Sequence, residues 1–98
     1  TFVLFADIYV TLYASDIDVT KSIPISTYPY VDGAPYIYAP DTGTLSMQNG
    51  GSVVECRPVY WFSGDYQTLY YGIKSVNVSG GSGFPTSKTF RMIVGMYR

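Results

Sequence analysis

Alternation with a period of two runs through most of the chain, and no stretch longer than a turn repeats at the 3.6-residue spacing of a helix. The clearest case is residues 1–13. Phe2, Leu4, Ala6, Ile8, Val10 and Leu12 share one face of the predicted strand, with Val3, Phe5, Asp7, Tyr9, Thr11 and Tyr13 on the other. Most of these residues are β-branched or aromatic, and neither Gly nor Pro interrupts a ladder. The first face is wholly apolar and must be covered. Burying its large side chains at roughly 1.5–3 kcal/mol each contributes on the order of 10 kcal/mol gross, a large share of what a small domain can muster.

Alternation recurs in Ile17-Asp18-Val19-Thr20, after a turn at Ala14-Ser15-Asp16, and in a short strand at residues 44–48. Asn49-Gly50-Gly51 is a hairpin signal leading into residues 52–62, where Val54, Cys56, Pro58, Tyr60 and Phe62 are expected to face inward. Pro58 lacks a ladder donor and predicts an edge or a bulge there. A two-residue loop at Gly64-Asp65 precedes a strand from 66 to 78, with Gly72 as a kink or bulge. A Gly-rich loop at 80–87 leads to a last strand, 88–98, with Phe90, Met92, Val94 and Met96 inward. Between residues 22 and 44 the pattern breaks, because Pro24, Pro29, Pro35 and Pro40 forbid a long internal ladder. Asp32-Gly33 there is a predicted turn, and Tyr28, Tyr30, Tyr36 and Tyr38 pair up at period two. Roughly seven strands joined by turn residues predict an all-β fold, a small antiparallel sandwich or barrel of jelly-roll or Ig-like kind, as one domain spanning 1–98.

Composition narrows the partners. Only 13% of residues are charged against 47% hydrophobic, where roughly 25% charged is usual. The net charge is −1 with no basic cluster, so neutralisation of nucleic-acid phosphates is not expected. Asp7 and the shortness of the 1–13 run argue against a membrane span, which needs about 20 apolar residues.

The chemistry of catalysis is thin. His is absent, and the one thiol, Cys56, is expected to be a small buried hydrophobe on a strand. Zinc ligands and phosphate-binding loops are missing. Asp16 and Asp18 lie two apart, but the rest of a calcium loop does not follow. No enzyme activity, cofactor or metal is expected. Asn77-Val78-Ser79 matches an N-glycosylation triplet.

Two functional readings remain. The first is a non-enzymatic structural subunit that self-assembles outside a cell or virion, as a filament, fibre or coat. In that reading residues 1–13 pair with a neighbouring subunit, and Phe2, Leu4, Ile8, Val10 and Leu12 are the subunit contacts. The second is a glycan- or receptor-binding adhesion domain, such as a phage tail-fibre tip. There Tyr28, Tyr30, Tyr36, Tyr38 and Trp61 stack on the partner.

Overall fold

A computed structural model of the chain describes residues 2–25, 36–39 and 43–97, with 2–5, 96 and 97 by their backbone alone. The described residues form seven strands: β1 (Phe2–Tyr13), β2 (Lys21–Pro24), β3 (Tyr36–Tyr38), β4 (Leu45–Asn49), β5 (Ser52–Phe62), β6 (Thr68–Gly80) and β7 (Ser87–Tyr97). They lie in two antiparallel sheets, one of three strands in the order β1-β7-β3 and one of four in the order β2-β6-β5-β4. The sheets form a small sandwich and do not close into a barrel. The body is elongated, 48 × 22 × 17 Å.

β1 pairs with β7 along its whole length, from Phe2 opposite Tyr97 to Tyr13 opposite Ser87. From Ala6 onward its alternation is as the sequence predicts: Ala6 and Leu12 are buried, Ile8 and Val10 pack against the core, and Asp7, Tyr9, Thr11 and Tyr13 are exposed. The cover for this apolar face comes from the chain's own second sheet. Ala6, Met92 and Val94 meet Ile25 and Leu69 in one buried cluster, and Leu12 and Phe90 meet Met47, Cys56 and Ile73 in another. Val10 and Tyr71 pack against both clusters and join them into one core. The expectation that Leu12 presents its side chain to a neighbouring subunit is therefore corrected, while Ile8 and Val10 are half-buried against the core. Leu12 is only 2% exposed, and the layer that covers all three belongs to the same molecule. Phe2 and Leu4 are placed by their backbone alone, opposite Tyr97 and Gly95. A register shift between Leu4 and Ala6 leaves Phe5 as an extra residue in β1.

The four-stranded sheet follows from two turns. Gly50-Gly51 links Asn49 to its partner Ser52, and Gly50 takes the left-handed φ of +61° that the first position of this hairpin loop demands. The loop between β5 and β6 differs from expectation. It runs over Ser63–Gln67, and Asp65 organises it by accepting hydrogen bonds from the Ser63 hydroxyl (2.7 Å) and the Gln67 amide (3.1 Å). Tyr66 there holds a φ of 58°, rare for a bulky residue, with its ring edge-on to Phe62. In β5, Val54 and Cys56 are buried and Tyr60 and Phe62 pack on the core, as predicted. The β4 ladder ends at Leu45 opposite Cys56, so among the described residues Pro58 lies where β5 has a partner only on the β6 side.

Residues 17–20 form no strand. Ile17 makes one parallel bridge to Ile73, Asp18 turns with φ 63°, and β2 begins only at Lys21. This segment explains Gly72, which is neither kink nor bulge. A Cβ on Gly72 would lie 2.8 Å from the backbone oxygen of Val19, so the crossing chain takes the space a side chain would need. The register shift in β6 falls instead at Val76, between the pairs Glu55–Asn77 and Cys56–Ser75. The Gly-rich connection to β7 is exposed yet fastened: the Gln48 amide donates to the Pro85 oxygen (2.8 Å), and its side-chain Nε2 lies 2.9 Å from the Gly81 oxygen.

Two substitutions separate these roles. Leu12→Ala is expected to cost about 2–5 kcal/mol in denaturant unfolding, because it opens a cavity between the sheets. Gly72→Val is expected to cost about 1–3 kcal/mol by forcing Val19 off β6, a loss that Gly64→Val, in open space, should not show.

Candidate functional site

Since the inner faces of both sheets are used up in the core, whatever the molecule recognises must meet its outer faces, its strand edges or its loops. The outer face of the three-stranded sheet is built by period-two alternation from three strands. β1 contributes Asp7, Tyr9, Thr11 and Tyr13, β7 contributes Thr89, Arg91 and Ile93, and β3 contributes Tyr36 and Tyr38 around the core residue Ile37. Asp7, Ile93 and Tyr38 form one row across the sheet and Tyr9 and Arg91 the next. All four tyrosines are more than half exposed.

Among the described residues the one ion pair on this face is internal to it. Arg91 donates from Nε and Nη2 to the two carboxylate oxygens of Asp7, at 2.8 and 2.7 Å, in a bidentate fork. Its guanidinium also lies 5.6 Å from the centre of the Tyr9 ring. The Arg91 hydrogen bond holds the Asp7 carboxyl below the ordinary carboxylate range, and Asp7 in turn raises Arg91. Local neutralisation of this kind leaves a tyrosine-covered surface with little net charge.

A second aromatic site lies on the opposite side of the molecule. Arg57, Val59 and Trp61 alternate outward along β5, facing Lys74, Gly72 and Tyr70 of β6 in direct register. Trp61 stacks on Tyr70 at 5.7 Å between ring centres and an interplanar angle of 24°. Beside Trp61 a groove of about 390 Å³ runs over Val59 and Gly72, walled on its far side by Asp18, Val19 and Thr20.

The residues expected to bind a partner together are thus split. Tyr36 and Tyr38 lie on one outer face and Trp61 on the other, while Tyr28 and Tyr30 fall outside the described residues. Tyr9, Tyr13 and Tyr70 belong to these surfaces as well. The signal for the first two was their shared parity with Asp7 and Thr11, and for Tyr70 its pairing with Trp61 across the β5–β6 hairpin.

Four of the described acids, Asp7, Asp16, Asp18 and Asp65, are occupied in holding the fold. Asp16 accepts from the Tyr13 amide (2.8 Å) and pairs with Lys21 (3.2 Å), and Asp18 accepts from the amide and hydroxyl of Ser75 (2.9 and 2.6 Å). Asp16 and Asp18 therefore point to different partners and share no cation position. No group of three or more metal-binding side chains occurs among the described residues. Cys56 is fully buried, and burial pushes its thiol above its ordinary value, with Asp18 and Glu55 adding to the effect; such a thiol is a poor nucleophile. Among the described residues no helix is long and apolar enough to cross a membrane.

Asp7, Asp16, Asp18 and Asp65 all have carboxyls held below the ordinary range, chiefly by hydrogen bonds from Arg91, the Tyr13 amide, Ser75 and Ser63. A carboxyl whose folded pKa lies under its unfolded value of about 3.9 contributes stability that is complete above that value and is lost as pH falls through the folded one. The melting temperature is expected to hold from about pH 7 to 5 and to fall below about pH 4. Thermal melts followed by circular dichroism across this range check it, and Asp18→Asn should flatten the fall. No protein-family model, no curated protein and no solved structure matches the chain.

Proposed function

We propose that this chain is a non-enzymatic structural subunit that self-assembles on the outside of a cell or virion, through the free edge of β1 and the tyrosine face beside it. One observation carries the reading. β1 is twelve residues long, pairs on one side with β7, and has no strand on its other side among the described residues. Such an edge offers a row of backbone donors and acceptors to any strand that approaches it. Soluble monomers blunt long edges with Lys, Pro or inward charges. β1 contains none of these, its single irregularity is the extra residue at Phe5 near one end, and its one charge, Asp7, is already bound by Arg91 within the sheet.

The lengths of the outermost strands suggest the partner. β2, β3 and β4 have four, three and five residues, so among the described strands at a sheet edge only a second β1 offers a match for the full edge. Antiparallel β1-to-β1 pairing is isologous and closes as a dimer. It would make one six-stranded sheet from two three-stranded ones and set the two tyrosine faces side by side. Growth into a fibre or coat then needs a second contact, for which Tyr9, Tyr13, Tyr36 and Tyr38 supply large, low-charge area.

A charged edge tests the reading without touching the core. Thr11 and Tyr13 are exposed on β1, so Thr11→Lys with Tyr13→Lys should leave the melting temperature within about 4 °C of the parent. Sedimentation velocity and negative-stain microscopy should then find dimers or larger particles for the parent and a 10.8 kDa monomer for the variant. A parent that stays monomeric up to millimolar concentration ends the proposal. Deletion of β1 is not a useful test, because it also removes Ala6 and Leu12 from the core.

A further inference from the structure

We propose that the groove beside Trp61 is a binding site for an acidic oligosaccharide, with the indole stacking on one sugar ring and Arg57 and Lys74 receiving the carboxylate of the next. Arg57 and Lys74 are direct cross-strand partners on the outer face of the four-stranded sheet, both exposed. Like charges placed opposite each other destabilise a sheet. No salt bridge relieves them among the described residues, where the two ion pairs are Lys21 with Asp16 and Arg91 with Asp7. Asp18 lines the same groove and lies near enough to Lys74 to feel its charge, but its carboxylate accepts two hydrogen bonds from Ser75. Glu55 shares the strand with Arg57 but makes no ion pair with it. The pair is thus a concentration of positive charge that the fold alone does not need, in a protein with six Lys and Arg in all.

Its neighbours set the class of ligand. Trp61 stands two alternations along β5 from Arg57, about 13 Å between backbones at the usual strand rise, a gap that the long Arg57 and Lys74 side chains can shorten to the span of a short run of sugar rings. Trp61 is 45% exposed and backed by Tyr70, which stacks on it without lining the groove, so the indole is held in place from behind. A rigid aromatic wall beside an apolar floor of Val59 and Gly72 complements the C–H face of a pyranose. The two cations at the other end complement a carboxylate, with the Arg57 guanidinium able to grip both oxygens. A simple anion would leave Trp61 unused, and a neutral glycan would leave the cation pair unused. The groove also lies on the sheet opposite the β1 edge and the tyrosine face, so it does not depend on self-assembly.

Trp61 is the only tryptophan, so its emission reports on this groove directly. Titration of the full chain with trigalacturonate should change that emission saturably, while the fully methyl-esterified trisaccharide should bind at least about tenfold more weakly, the worth of one charge-assisted hydrogen bond. Arg57→Gln should weaken trigalacturonate binding by a similar factor yet melt no lower than the parent at low salt, since it relieves a repulsion. That opposition of signs sets a ligand-binding cation apart from a structural one. Trp61→Leu, followed by calorimetry, should lose binding of both sugars, and Tyr38→Lys on the opposite face should lose neither. Equal binding of the acid and its ester, unchanged binding by Arg57→Gln, or no binding by the parent would each overturn the proposal.

Discussion

Everything in this fold depends on the pairing of its first long strand with its last. β1 and β7 stand at opposite ends of the sequence, yet they are the body of the three-stranded sheet, to which β3 adds three residues on the far edge. β4, β5 and β6 assemble through near-neighbour turns, but their inner face, with Met47, Cys56, Leu69 and Ile73, has no cover until β1 and β7 arrive. Neither layer can bury its apolar face alone. The local hairpins are therefore waiting on a contact of very high sequence separation, which puts the chain among slowly folding topologies. It also leaves β1 open to other partners while folding is incomplete.

A two-layer body only 17 Å in its thinnest dimension has little interior. Thirteen apolar residues are buried among those described, and no polar or charged side chain joins them. The remaining aromatics must lie outside, and alternation sends them to two opposite surfaces with different electrostatics. On the three-stranded sheet Asp7 neutralises Arg91 and the tyrosines lie over a face without strong charge. On the four-stranded sheet the cations at 57 and 74 adjoin each other with no ion pair to an acid among the described residues. A neutral aromatic face suits contact with another protein surface. A charged groove ending in a buttressed indole suits a small ligand.

Much of the fold was legible in the sequence because period-two patterning is a local signal. The apolar faces of β5 and β7, and of β1 from Ala6 onward, needed only parity, and the Asn49-Gly50-Gly51 hairpin needed only turn chemistry. What escaped prediction depended on neighbours distant in sequence. Gly72 looks like a flaw in a strand until the Val19 oxygen is seen against it. Extra residues at Phe5 and Val76 shift register without leaving a gap in the hydrophobic pattern. Asp65 lengthens its loop by side-chain hydrogen bonds that override the Gly-Asp signal. For the candidate sites, parity shows that Tyr38 and Trp61 both point away from the core, but not that they leave it on opposite sides.

The reading of β1 itself carries a more general lesson. A strand has two faces and two edges, and each pair must be satisfied separately. Hydrophobic side chains declare that a face needs cover, and for β1 that cover is internal. They say nothing about the backbone groups along an edge, whose direction lies in the plane of the sheet. A strand can therefore have its apolar face covered and its ladder half satisfied, as β1 does from Ala6 onward among the described residues. Assembly through such an edge needs no exposed greasy stripe. It needs length and an absence of Lys and Pro, both of which β1 has, together with neighbouring side chains that tolerate a partner.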